Sequence, residues 1–230
     1  MSHASIAISD GIAVITMNDG KANAFGFDMM AALNTCLDEA EAKADVIVLT
    51  AEGRAMSAGF DLKVMQNEPD RAGEMVLQGG QLLSRLFACP KPVIIASPGH
   101  GIAAGGLLML SADYRIGVEG DSLYGLNESA IDMVLPDFGL HLATYRINNK
   151  YLDTCFAGAE LLDPQTAIKA GFLDEAVSAD KLMARAMEKA EAMQKLSSKA
   201  FAGNKRLIRG PIIDTINNGL AGQKSLSVTA

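Results

Sequence analysis

Hydrophobic and polar positions change period along the chain, and the changes mark its elements. Ile6 to Ile8 and Ile12 to Met17 alternate around Asp10-Gly11, a pattern that predicts a hairpin closed by a two-residue turn. Asp19 to Ala24 is polar and small, and reads as a loop. From Phe27 to Ala42 the period lengthens, with Met30, Leu33 and Leu37 on one face of an expected amphipathic helix. Asp45 to Thr50, continuously apolar from Val46 to Leu49, is expected to be a buried strand that leaves through Ala51 to Arg54. Met65 to Phe87 reads as helical with a break near Gly79-Gly80, and Cys89-Pro-Lys-Pro92 ends it.

Pro92 to Ser97 is a second buried run. It feeds Pro98 to Asp113, where glycines and alanines open a short helix. Tyr114 to Val118 reads as a third strand of this kind. Helices are expected over Tyr145 to Ala157 and from Leu162-Asp-Pro164 to a Gly171 cap, then a short extended segment over Phe172 to Val177. Three helical stretches close the chain: Lys181 to Leu196, Ser198 to Ile208 and Pro211 to Leu220. Strands alternating with helices before a helical tail make this an α/β chain.

Composition narrows the classes. At 230 residues, with 49% hydrophobic residues, the chain is long enough for a large core, and its net charge of −7 argues against a nucleic-acid partner. Cys36, Cys89 and Cys155 are widely spaced, so they read as reduced core or helix residues in a cytoplasmic setting. No apolar run reaches membrane-spanning length, and no metal-ligand cluster is read.

Three chemistries compete for the glycine-rich stretches. Gly99-His-Gly101-Ile-Ala-Ala104 matches a dinucleotide fingerprint, with Glu119 where a ribose ligand would fall. Only about nine residues separate it from Tyr114, too short for an ordinary crossover helix. Ala55-Met-Ser57-Ala-Gly59 approaches a nucleophile elbow, with Asp137 and His141 following. The elbow must leave a strand directly, yet Glu52 to Arg54 intervene. The third reading joins Ala55 to Leu62 with Gly101 to Gly106, so that two backbone N–H groups converge on one oxygen, as a thioester enolate requires. Its base would be Glu128, in the apolar segment Leu123-Tyr-Gly-Leu-Asn-Glu-Ser129, where burial raises a carboxyl pKa.

These motifs in this order, with Ala22-Asn-Ala24 and Ala167 to Val177, resemble the crotonase (enoyl-CoA hydratase/isomerase) superfamily, closest to its isomerase branch. The resemblance implies a spiral of β-β-α units over 1–195 and a helical trimerisation region over 196–230, assembled as a homotrimer or a dimer of trimers. It implies an acyl-CoA substrate, coenzyme A entering as part of the thioester rather than as a cofactor. It places the oxyanion hole at the N–H groups of Ala58 and Ala104 and the base at Glu128. Lys21, Ala22 and Asn23, with Ser57 to Asp61, would receive the coenzyme A head, and Leu62 would join them in binding substrate; Met56, Met65, Met133, Phe60, Leu107, Ile131 and Phe138 are candidates for an acyl pocket. Counted back from Asp113, the first of the two glutamates of family hydratases falls at Leu107. The implied chemistry is therefore a Δ3–Δ2 isomerisation by one carboxylate, with hydration, or acyl-CoA binding without turnover, as the alternatives. Asp132 and Asp137 are expected as surface caps, His100 as a backbone partner, His3 as a disordered end residue, and Lys199, Lys205 and Arg206 on a solvated face.

Overall fold

A computed structural model describes residues 3–226, apart from the side chains of Pro69 and Asp70. The last four residues of the expected 196–230 region lie outside the described ones. The hairpin forms as β1 (Ala4–Ser9) and β2 (Ile12–Met17), with positive φ at Asp10 and Gly11, as the tight turn demands. His3 is part of it: its carbonyl accepts the Asn18 N–H at 2.8 Å, so it is no disordered end.

After α1 (Phe27–Lys43) the chain winds as a spiral in which each turn lays one strand in each of two sheets. β3 (Val46–Ala51), β5 (Val93–Ala96) and β7 (Tyr114–Val118) extend the hairpin in parallel, and β9 (Glu175–Val177) completes the order β1-β2-β3-β5-β7-β9. The smaller parallel sheet holds β4 (Ala55–Ser57), β6 (His100–Ile102) and β8 (Tyr124–Gly125). Its strands are too short for a two-residue period to appear in the sequence, which is why none of them is legible there.

The large sheet is covered on both faces. Val46, Val48, Ile94, Ala96 and Ile116 pack beneath Leu182, Ala186 and Ala190 of α8 (Leu182–Gln194). Ile47, Leu49, Val93 and Ile95 face the main core, with α1, α3 (Pro69–Ala88) and α4 (Ala104–Ser111). Two-sided burial explains the continuous apolar runs.

Three helical expectations change. Between β4 and β5 the break falls at Glu68, between α2 (Leu62–Asn67) and α3, because Pro69 restricts the residue before it and starts the next helix; α3 runs unbroken through Gly79-Gly80. The expected helix over Tyr145 to Ala157 is two, α5 (Asp137–Arg146) and α6 (Asn149–Phe156), the second capped by Asn148, whose side chain accepts the Lys150 N–H. α7 (Pro164–Ala170) ends on Gly171 at φ 104°, as expected. The final pair is one helix, α9 (Ser198–Leu220), which carries Pro211 inside it. Three buried side chains, Arg209, Ile213 and Ile216, flank that proline and hold the helix across it. Among the described residues no helix is long and apolar enough to cross a membrane.

Candidate active site

The two small-residue loops do meet. β4 and β6 are neighbours, so the loops leaving them sit side by side, and α4 starts between them. A methyl on Gly105 would lie 2.1 Å from the Ser57 carbonyl oxygen, so only glycine lets α4 press this closely on the β4 strand. Gly59 stands at φ 106°, and a Cβ there would be 2.9 Å from that of Ala103. Ala103 itself holds φ 54° and ψ −123°, a backbone region that costs a side-chain-bearing residue about 1–3 kcal/mol. Its strain fixes the turn from which the first N–H groups of α4 emerge.

Beside this turn lies a cavity of about 120 Å³. Ala58, Phe60, Leu62, Leu107, Glu128, Ile131 and Met133, each singled out in the sequence, line it together. Met65, another acyl candidate, lines it too, with Ala103, Asn127, Val76, Val134 and Pro136, whereas the Phe138 ring packs against Gly80 outside this lining. Glu128 follows β8 at the start of a single 3-10 turn, Glu128–Ile131, and is only 7% exposed. Burial pushes its carboxyl up from 4.5 to about 7, and its Oε2 has no hydrogen-bond partner. Asn127, adjacent to it, also has a buried and unpartnered side-chain oxygen. Asn127 is a lining residue beyond those the sequence points to, its one signal being its place before the carboxylate in Gly-Leu-Asn-Glu; Val76, contributed by α3, carries no such signal.

The remaining candidates lie around the cavity rather than in it. Ala104 is fully buried behind Ala103 and opens α4, where an N–H has no intrahelical acceptor. The Ala58 N–H donates to the Ala22 carbonyl at 3.0 Å, so a ligand oxygen would have to compete for it. Met56 and Ser57 are fully buried behind the loop, and the Ser57 hydroxyl accepts the Gly59 N–H. Asn23 is buried at φ 53° and ties the loop together through bonds to the Glu52 and Ala55 carbonyls, both 2.9 Å. Lys21 is exposed. Asp61 caps α2 by accepting the Lys63 N–H and faces a separate depression with Asp19, Asp28 and Arg71.

The competing chemistries lose their geometry. His100 to Ile102 form β6, so the second glycine of the dinucleotide pattern lies within a strand rather than in a phosphate loop. Asp137 and His141 pair at 3.3 Å along α5 while Ser57 is sealed away. Asp132 is exposed in a left-handed turn, and His100 Nδ1 accepts the Leu123 N–H, both as expected. Lys205 corrects its expectation: it is buried against Asp113 at 2.8 Å, because α9 lays it over the start of β5, whereas Lys199 and Arg206 are exposed.

Comparisons with known proteins agree with this architecture. The model of the enoyl-CoA hydratase/isomerase family matches residues 7–228. A probable enoyl-CoA hydratase of Bacillus subtilis is 32% identical over 83% of this chain and 77% of its own length. The crystal structure of an enoyl-CoA hydratase/isomerase family protein from Pseudomonas syringae superposes with a TM-score of 0.92 at 38% identity, covering 95% of both chains. A Mycobacterium tuberculosis enoyl-CoA isomerase superposes at 0.90 with 35% identity, covering 96% of this chain and 97% of its own.

Proposed function

The chain belongs to the enoyl-CoA hydratase/isomerase family, and we propose that within it this protein shifts the double bond of a 3-enoyl-CoA to position 2. One observation carries the reading: Glu128 is the ionisable residue of the cavity lining, and Leu107, where the family resemblance puts the other glutamate of a hydratase, lines the same cavity. Hydration needs water activated at one carbon and a proton delivered to the next. Isomerisation needs one group that takes a proton and gives it back.

Glu128 suits that task. With its carboxyl near 7, both protonation states are populated at neutral pH, and the unpartnered Oε2 is free to meet a C–H bond. The carboxylate takes a proton from C2, the C–H electron pair moves into the thioester carbonyl to give a dienolate conjugated with the C3–C4 double bond, and the acid form returns the proton to C4 as the carbonyl re-forms and the double bond settles between C2 and C3. The reaction moves one proton and one double bond, so it balances without a redox partner or further cofactor. The Ala104 N–H, with the Ala58 N–H drawn from Ala22, would receive the negative oxygen at the positive end of α4. The apolar lining keeps water from the dienolate. The coenzyme A head would lie outside, along Lys21 to Asn23.

Hydration is the second reading, favoured by the name of the Bacillus relative and by the Asn127 oxygen, which could accept from a water beside Glu128. A homotrimer or dimer of trimers fits the exposed Leu196, Leu207 and Ile208 of the 196–230 region, and a cytoplasmic setting fits the free, buried Cys36, Cys89 and Cys155. The deciding experiment gives 3-hexenoyl-CoA and crotonyl-CoA to the wild type and Glu128→Gln and separates the products. Conversion of the 3-enoyl ester, lost in the variant, with little 3-hydroxyacyl product from crotonyl-CoA, is expected. Fast hydration would replace the isomerase reading with the hydratase one, and binding without any turnover would overturn both.

A further inference from the structure

α4 carries an unusual load at the end away from the cavity. All eight of its residues are buried, and its last carbonyls meet two guanidinium groups. Arg146 of α5 donates from Nε to the Leu110 oxygen at 3.3 Å and from Nη2 to the Ala112 oxygen. Arg209 of α9 donates to the Ala112 oxygen at 3.4 Å and to the Phe87 oxygen at 2.9 Å. The Tyr145 ring lies between them, 5.2 Å from one guanidinium and 5.6 Å from the other.

The charges there do not balance. Asp113 takes Lys205 at 2.8 Å on one oxygen and Arg209 at 2.7 Å on the other. Arg115 is matched separately by Asp174 at 2.8 Å. Arg146 forms no ion pair among the described residues, which leaves three cations against one carboxylate. Burial and the neighbouring Arg115 and Arg209 push Arg146 down to about 9. A half-buried cation without a counter-charge is costly, and capping a helix needs only one such group.

We propose that Arg146 and Arg209 are positioning residues for the proton transfer. They clamp the carbonyl end of α4 so that the Ala104 N–H at its other end meets the thioester oxygen, and their surplus charge favours the enolate there. The proposal rests on the reading of Ala104 as an oxyanion donor. The helix is about 12 Å long, and at that distance, with an effective dielectric near 20, one charge alters an ionisation by about tenfold.

The test uses acetoacetyl-CoA, whose bound enolate absorbs in the near ultraviolet, titrated against pH on the intact protein. Arg146→Gln keeps a donor for the carbonyls and loses the charge; Arg146→Lys keeps the charge and loses the fork. The apparent acidity of the bound ester is expected to fall about tenfold in the glutamine variant, with kcat for 3-hexenoyl-CoA falling alike, KM within about twofold, and partial recovery in the lysine variant. Wild-type acidity in the glutamine variant, with only a lower melting temperature, overturns the proposal. Should that variant not fold, Arg146→Lys decides instead: with the charge retained, acidity within a few-fold of the wild type is expected, and a full tenfold fall overturns the role given to the charge. A wild type that binds acetoacetyl-CoA without promoting its enolate removes the oxyanion reading and the proposal with it. That result is distinguishable from a wild type that enolises and a variant that matches it.

Discussion

Gly79 lies directly against the ring of Phe60: a Cβ on Gly79 would fall 2.4 Å from Phe60 Cε1 and 2.6 Å from Cζ. The glycine sits in the middle of α3, where alanine would raise helix propensity by about 1 kcal/mol. It is kept because the helix must pass close under a side chain that lines the cavity and meets Phe25 edge-on at 6.2 Å. Gly79→Ala should therefore push Phe60 into the cavity. The expected outcome is a several-fold rise in KM for 3-hexenoyl-CoA with a melting temperature changed by only a few degrees. An unchanged KM would mean that Phe60 finds another rotamer away from the acyl site.

Glu128 makes the fold less stable at the pH where it works. Its carboxyl is raised from 4.5 to about 7, so the native state holds a proton that the unfolded chain releases. The cost is absent below pH 4.5, grows between 4.5 and 7, and is complete above, at about 3 kcal/mol. Glu128→Gln should thus be more stable than the wild type at pH 8, the difference shrinking as pH falls towards 4.5. Urea unfolding at pH 5 and pH 8 measures it, and a variant less stable than wild type at pH 8 would contradict the burial argument. In the wild type, kcat/KM should rise through about pH 7 as the base form appears.

The sequence revealed whatever has a long period or a fixed chemistry. β3, β5 and β7 were legible because burial on both faces gives unbroken apolar runs. Glu128 was legible because a carboxylate in an apolar segment has few uses. The second sheet was not, since β4, β6 and β8 are held by the neighbours they pair with rather than by any pattern of their own. Gly79-Gly80 looked like a break because close approach and chain termination ask for the same residue. Lys205 looked like a surface lysine because its partner, Asp113, is distant in sequence.

Asn23 controls the shape of the loop that holds Ala22 against Ala58. Its side chain donates to the Glu52 and Ala55 carbonyls and accepts the Asp19 N–H at 3.1 Å, while its backbone stands at φ 53°. Asn23→Ala removes these bonds and keeps the strain; Asn23→Gly removes the bonds but relieves the strain. The alanine variant should lose about 2–4 kcal/mol, the glycine variant about 1 kcal/mol less. Both should weaken coenzyme A ester binding, as calorimetric titration would read. Equal stability in the two variants would show that the backbone conformation is not held by Asn23.

Leu107 offers the most direct way to ask what decides between the family's two reactions. Its side chain lines the cavity with Glu128, it is 1% exposed, and its methyls would come within 3.4–3.5 Å of a Cβ on Gly139. Leu107→Glu would install a second carboxyl in nearly the same volume. Two carboxyls in one apolar pocket do not both ionise near neutrality, so one should hold its proton while the other acts as base. That division is what hydration requires: one group activates water and the other protonates C2. The variant should lose about 2–4 kcal/mol of stability for the buried polar group. It should gain 3-hydroxyacyl product from crotonyl-CoA above the wild-type level, with isomerisation reduced. If the folded variant hydrates no faster than the wild type, the missing carboxylate is not what separates the two chemistries here, and the choice must lie with Asn127 and the placing of water.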